Sequence, residues 1–285
     1  DDGSTDATLD VLAGYGAAVT CIRSTNGGPL VSRNIGVRAA RGELVAFCDS
    51  DDLWHPEFLA TMEQAFQAAP GVAAAYANFN IRHEGQLSAT SKFDGAPPRF
   101  WAGLRDLRPG LGLFTEAIIL RLLHFQPFFP SCMMVDRAKF QALGGWDEGV
   151  SRIIGCDFAT ALRLLNLPPV AVARRPLVQI RKHAGNISGD TEQMHLGNAR
   201  VLEYVLRTRP ELEPFRQEFR ASINRFRLEA LQSAFARGDF RAVRRIDHAI
   251  SVPIRSMRVN AKRAIARLPR SIAQRIAALV SGGVA

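Results

Sequence analysis

Residues 45–54 read VAFCDSDDLW, an apolar run that stops at three aspartates within four positions, Asp49, Asp51 and Asp52. Carboxylates this close repel one another and lose hydration at a strand end. That cost is offset when a divalent cation sits among them. Mg²⁺ and Mn²⁺ favour oxygen ligands, and Mg²⁺ commonly takes one or two carboxylates together with phosphate oxygens. A solvated loop, or a cap for the helix that begins near His55, accounts for the same residues. A second candidate is DDGSTD at residues 1–6. Asp2-Gly3 forms a turn, Ser4 or Thr5 can cap a helix, and Asp6 suits its first turn. A glycine turn before a helix start can also cradle a phosphate.

These residues need a scaffold, and the hydrophobic pattern supplies one. Leu44–Cys48 reads as a strand without polar alternation, the pattern of a strand covered on both faces. Strands are also expected at Val19–Arg23, Val72–Phe79, Cys132–Val135, Val170–Ala173 and Leu177–Ile180. Helices are expected at Leu30–Ala40, His55–Ala69, Thr115–His124, Arg137–Leu143 and Asp157–Leu167. Strand and helix alternate, which argues for a doubly wound α/β sheet. In such sheets ligands bind beyond the carboxyl ends of the strands, where Asp49 and Asp51 lie. Residues 82–110 form a polar, Gly- and Pro-rich excursion.

Together the two acidic segments resemble a known family. DDGSTD, followed by NGGPLVSRNIGVRAARGELVAFCDSDDLWHPEFL (26–59), is similar to the N-terminal half of family 2 glycosyltransferases with the GT-A fold. PSCMMVDRAKFQALGGWDE (130–148) resembles that family's acceptor-side segment. IIGCDFATALRL (153–164) resembles its catalytic-base helix, and RKHAGNIS (181–188) its late histidine motif. The resemblance runs through residues 1–190, with the motifs in order. It implies a mixed sheet flanked by helices and a further strand ahead of Asp1, whose lack would compromise the sheet, leave an apolar strand edge unpaired and weaken activity.

The resemblance also implies roles. Asp51 would be a direct ligand of Mn²⁺ or Mg²⁺ and His183 a further one, with Asp49 on the ribose side of the donor. Asp2, beside Asp1, would face the nucleobase, and Arg33 would complement donor phosphate charge. Asp157 would be the general base that takes a proton from an acceptor hydroxyl, although many relatives carry Glu-Asp where this chain has Cys156-Asp157. Trp146 and Asp147 would line the acceptor pocket. The reaction implied is inverting sugar transfer from a nucleotide-diphospho-sugar to a glycan or lipid-linked acceptor, in bacterial surface polysaccharide synthesis. Two alternatives stand beside it: a haloacid-dehalogenase-like phosphohydrolase, which also places Asp-x-Asp after an apolar strand, and a non-catalytic nucleotide- or glycan-binding relative.

Composition fits a globular protein, at 47 % hydrophobic and 22 % charged residues. The formal charge of +9 is uneven, since residues 200–285 hold 18 Lys/Arg against 7 Asp/Glu. Three regions follow: a donor half at 1–100, an acceptor and catalytic half at 101–190, and a basic helical extension at 191–285. In the extension, 230–250 reads as a helical hairpin turning at Gly238-Asp239. Ile254–Leu268 and Ser271–Val280 read as amphipathic, arginine-rich helices suited to an anionic membrane surface. Interleaved aromatics and nucleic-acid modules are lacking, so nucleic acid is not an expected partner. Four scattered cysteines without ligand spacing suit a reducing compartment. The expected location is cytoplasmic, with peripheral contact to the inner membrane face.

Overall fold

The computed structural model describes residues 1–186, 189–251 and 256–281, the last four of these as backbone. They form two compact units, Asp1–Ala184 and Gly185–Ala285. Ile187, Ser188 and Ile254, which the sequence pattern includes in its motifs, lie outside the described residues, as does the Leu279 side chain.

The first unit is built on one sheet of eight strands: β1 (Leu44–Ala46), β2 (Leu53–Trp54), β3 (Ala74–His83), β4 (Gln86–Leu87), β5 (Leu104–Arg108), β6 (Leu111–Phe114), β7 (Met133–Asp136) and β8 (Val170–Lys182). Their order is β1-β7-β3-β8-β6-β5, with β2 paired to β8 and β4 to β3. Strands from residues 1–100 and 101–190 therefore interleave in a single sheet. Only β3 and β8 run parallel; the other pairs are antiparallel. The sheet is mixed, as the family resemblance implies, and most of its pairs are antiparallel. The β3–β4 connection is a tight turn at Glu84-Gly85, and β5–β6 turns at Gly110, all three with φ between +48° and +83°. Such hairpins return the chain antiparallel without a crossover helix.

Helices α1 (Thr8–Ala13), α2 (Pro29–Ala39), α3 (Phe58–Ala68), α4 (Ile119–Leu122), α5 (Arg137–Ala142) and α6 (Asp157–Leu164) complete the unit. In α3, Phe58, Met62 and Ala65 fall on one face. They pack with Ala75, Ala77 and Phe79 of β3 and Ala171, Ala173 and Val178 of β8. Burying each large side chain contributes about 1.5–3 kcal/mol. This core fixes β3 and β8, whose ends carry the site. Three expectations change. The Val19–Arg23 segment is not a strand: its neighbours are backbone bonds from the Asp1 ammonium to Ile22 O (2.9 Å) and from Ser24 N–H to Asp1 O (2.9 Å). The first helix has Ala7 at its N-cap and no side-chain cap from Ser4 or Thr5; just ahead of it the Asp6 carboxylate accepts from the Thr8 N–H and hydroxyl. Strand β1 lies at the sheet edge and is half-buried, so an apolar run alone overstated its cover.

The second unit is helical: α7 (Thr191–Thr208), α8 (Arg216–Ala236), α9 (Phe240–Ala249), α10 (Met257–Ala266) and α11 (Arg270–Ser281). The α8–α9 hairpin turns where the sequence placed it. Gly238 adopts φ +72°, its N–H and that of Asp239 close the end of α8, and the Asp239 carboxylate accepts from Ala242 N–H at 2.9 Å. Leu231, Phe235, Phe240, Val243, Ile246 and Ile265 form its core. No helix among the described residues is long and apolar enough to cross a membrane.

Candidate active site

The acidic loop is held at both ends by the sheet. Phe47 N–H continues the β1–β7 ladder by donating to Met133 O at 3.1 Å. On the far side, Leu53 and Trp54 pair with Gln179 and Val178 of β8. The loop is therefore pulled toward the end of β8, where His183 follows Lys182. His183 Nε2 lies 3.3 Å from Asp51 Oδ2, although 131 residues separate the two in sequence.

Ser131 is the centre of a second set of bonds. Fully buried, it accepts from the Asp49 N–H at Oγ (2.9 Å) and donates from the same oxygen to Asp52 Oδ2 (2.5 Å). Its carbonyl accepts from Trp54 Nε1 at 2.8 Å. Asp52 Oδ1 takes the Arg181 N–H at 3.0 Å, and the Arg181 guanidinium donates to the Asp51 carbonyl. Burial pushes the Asp52 carboxyl above the usual carboxylate range. The Ser131 and Arg181 bonds work against it, and Asp51 and Asp49 add to it. Partial burial, with these carboxylates, also pushes the Cys48 thiol up to about 11. Cys48 itself is exposed, not a core residue.

Asp49 faces another way. Its Oδ1 accepts from the Arg33 guanidinium at 2.5 Å, and Arg33 lies 5.2 Å from the centre of the Trp146 ring. Half-buried Asp157 opens α6 close to both. Burial pushes its carboxyl up to about 6; Arg33 opposes the shift and the Asp49 charge adds to it. Burial, with the Asp157 charge adding to it, pushes the buried Tyr76 hydroxyl up.

The N-terminal turn is tied to the same region. Both Asp2 oxygens accept loop N–H groups, from Gly27 (2.8 Å) and Gly28 (2.9 Å). Partial burial acts to push the Asp2 carboxyl up, but those bonds, the Ser32 hydroxyl and the Arg152 charge outweigh it and hold the carboxyl below the usual range. Asp1 accepts the Ser4 N–H at 3.1 Å. Gly28 sits at φ +90°, and a Cβ there would lie 2.6 Å from Ser151 Oγ. That oxygen in turn accepts from Leu30 N–H (3.1 Å) at the start of α2. Farther along α2, Asn34 bonds the Trp146 backbone in both directions (2.8 and 2.9 Å) and reaches Glu148 (2.8 Å). A cleft of about 470 Å³ is bordered by Arg38, Trp146, Asp147, Glu148 and Arg163. Trp146 is only 3 % exposed and packs edge-on to Phe47 at 5.0 Å, so its ring backs Arg33 and offers little surface for a sugar. Asp147 N–H donates to Thr160 Oγ1 at 3.0 Å.

The structure thus brings Asp51 to His183, and Arg33 to Asp49 and Asp157. Sequence reasoning missed Ser131, Asp52 and Arg181 as the groups that hold the loop, and Asn34 and Ser151 as ties to α2. Gly27-Gly28 was a signal for the last, since a positive φ implies a close approach. For a divalent cation, a carboxylate and an imidazole converge from two elements. Among the described residues no cluster of three or more His, Cys, Asp or Glu forms. Two protein donors with the remaining positions left to outside oxygens is a set that fits Mg²⁺ or Mn²⁺ on a diphosphate.

The sequence profile described as Glycosyl transferase family 2 matches residues 1–144, half of the chain. The chain belongs to glycosyl transferase family 2. Over 71 residues it is 41 % identical to the succinoglycan biosynthesis protein ExoW of Rhizobium meliloti, covering 23 % of this chain and 22 % of that protein. Among its curated relatives the match spans between 10 % and 26 % of the relative's own length. Residues 1–349 of TarS from Staphylococcus aureus, in complex with UDP-GlcNAc, superpose with a TM-score of 0.54 at 17 % identity, covering 99 % of this chain and 81 % of that one. The mannosyltransferase PcManGT of Pyrobaculum calidifontis, in complex with GDP-Man and Mn²⁺, gives 0.50 at 17 % identity, covering 98 % and 75 %. At such identity these likenesses speak to the fold alone, and the fold is that of GT-A glycosyltransferases.

Proposed function

We propose that this family 2 glycosyltransferase transfers a sugar, with inversion, from a nucleotide-diphospho-sugar to an acceptor hydroxyl in the making of a surface polysaccharide. One observation carries the reading. A carboxylate–imidazole pair (Asp51, His183) has its carboxylate in the same acidic loop as Asp49, and Asp49 is bonded to Arg33 of α2, whose charge acts on a base candidate with its carboxyl pushed up to about 6 (Asp157). The relatives named above, one in succinoglycan biosynthesis and others bound to UDP-GlcNAc or GDP-Man, support the substrate class.

In this reading Asp51 and His183 would hold Mn²⁺ or Mg²⁺. The cation, when bound, offsets charge on the departing nucleoside diphosphate. Arg33 exchanges part of its contact with Asp49 for donor phosphate, backed by the Trp146 ring. Asp157 takes the proton of the acceptor hydroxyl as that oxygen attacks the anomeric carbon opposite the leaving group. A carboxyl near 6 is a stronger base than an ordinary aspartate and is still ionised at neutral pH. Asp2 sets the 26–28 loop beside the nucleobase pocket, with Asp1 next to it. Asp147 is the acceptor-side candidate at the cleft. The phosphohydrolase reading has no use for the Asp2 turn or Asp157, and family membership stands against it.

The test is a panel of nucleotide-sugars assayed for Mn²⁺-dependent thermal stabilisation and for release of UDP or GDP. Stabilisation with release supports transfer. Stabilisation without release under every acceptor tried favours a binding relative. No metal-dependent shift with any donor refutes the reading.

A further inference from the structure

Helices α10 and α11 carry a surface that catalysis does not use. In α10, Val259, Ile265 and Ala266 are buried against the helical core. Met257, Ala261 and Ala264 follow at i, i+4 and i+7, which sets them on one stripe of α10 away from Val259 and Ala266, and Leu268 lies in the bend just after the helix. All four are exposed, Met257 by 86 % and Leu268 by 38 %, and Ile272 in the first turn of α11 is exposed by 46 %. The same two helices carry cations. Arg258, Arg270 and Arg275 are exposed, and no carboxylate among the described residues pairs with them. Asp247 does engage Arg263 (2.5 Å) and Arg267 (3.3 Å). After Asp247 the sequence holds seven Lys/Arg and no Asp or Glu.

We propose that the exposed face of α10 and the start of α11 docks on an anionic phospholipid bilayer. An apolar stripe open to water is costly unless something covers it, and the cations on the same helices select a negatively charged cover. A second copy of this face would bring arginines against arginines. A nucleic acid would satisfy the arginines but has no place for Met257, Leu268 and Ile272. A bilayer with acidic headgroups meets both needs: the headgroups take the arginines, and the three side chains enter the boundary with the acyl chains. Docking there needs no turnover, so it is measured independently of the donor chemistry.

The experiment is co-sedimentation of the full chain with vesicles of phosphatidylcholine containing about one-third phosphatidylglycerol, against pure phosphatidylcholine. Binding to the acidic vesicles should be at least about tenfold tighter and should weaken as salt is raised. The triple change Met257→Glu, Leu268→Glu and Ile272→Glu should cut it by about tenfold or more. So should Arg258→Ser, Arg270→Ser and Arg275→Ser, tested separately. All six sites are exposed, and circular dichroism checks that the helices persist. Equal binding to both vesicle types overturns the proposal. So does indifference to either set of substitutions, or retention on a nucleic acid in place of the acidic vesicles.

Discussion

Asp157→Asn separates a catalytic carboxylate from a structural one. Burial has pushed the group from an ordinary value of 3.8 up to about 6. A raised value means that the folded state holds the proton more tightly than the unfolded chain. The stabilising share is therefore complete below about pH 4 and is lost as pH climbs through 6. At neutral pH the folded protein carries an ionised group at a cost of about 3 kcal/mol relative to the neutral form; about half remains at pH 5. Asparagine has no charge to bury. The substitution should therefore raise Tm by several degrees at pH 7.5, and the gain should shrink steadily between pH 6 and pH 4. The same change should lower kcat about 10²–10⁴-fold, the usual worth of a general base. In the unsubstituted enzyme kcat/KM should fall tenfold per unit of pH below about 6. Thermal melts across a pH series and initial rates of nucleotide release give both curves. A pH-independent loss of stability in Asp157→Asn, or a rate that stays flat down to pH 5, would refute the assignment.

Asp51→Ala and His183→Ala should each abolish the Mn²⁺-dependent rise in Tm given by a bound donor. That rise is about 2.7 kcal/mol of stabilisation for a ligand at a hundred times its Kd, read by differential scanning fluorimetry. Ser131→Ala strips a partner from the Asp49 N–H and from Asp52 at once. It should cost about 1–3 kcal/mol in urea titration and raise KM for the donor, because the acidic loop loses its anchor. Gly28→Ala forces a Cβ to within 2.6 Å of Ser151 Oγ at φ +90°. It should destabilise by more than about 1 kcal/mol, with donor affinity falling in parallel as the Asp2-held loop shifts.

The sequence made the chemistry legible where it is local. DSDD, the helix-opening Asp157 and the glycine loop are short patterns whose residue types limit what they can do. It was weaker wherever a neighbour comes from afar. Two strands were expected, at Val170–Ala173 and Leu177–Ile180. The structure has one strand, because Pro176 falls at an irregularity opposite Asn78, where the ladder slips register. The Asn78 amide bridges the slip by donating to Arg174 O at 2.8 Å. No pattern in either segment announces that bond. Likewise, the cover of β1 depends on its place at the sheet edge, which only the strand order decides.

The acidic knot shows what that limit means for function. Asp49, Asp51 and Asp52 are chemically the same side chain within four positions, and a sequence offers little to tell their tasks apart. Their partners do. Arg33, 16 residues away, bonds Asp49, and both charges act on Asp157. Ser131, 79 residues away, turns Asp52 into the clasp that fixes the loop on the sheet. His183, 132 residues away, meets Asp51. The mutual repulsion of the three carboxylates is thus relieved in three directions, by a guanidinium, by buried hydrogen-bond donors and by an imidazole. Of these only the last pairing gathers metal-ligating atoms. A cation bound at this loop should therefore depend on Asp51 and His183 directly, and on Asp52 only through the position it gives them.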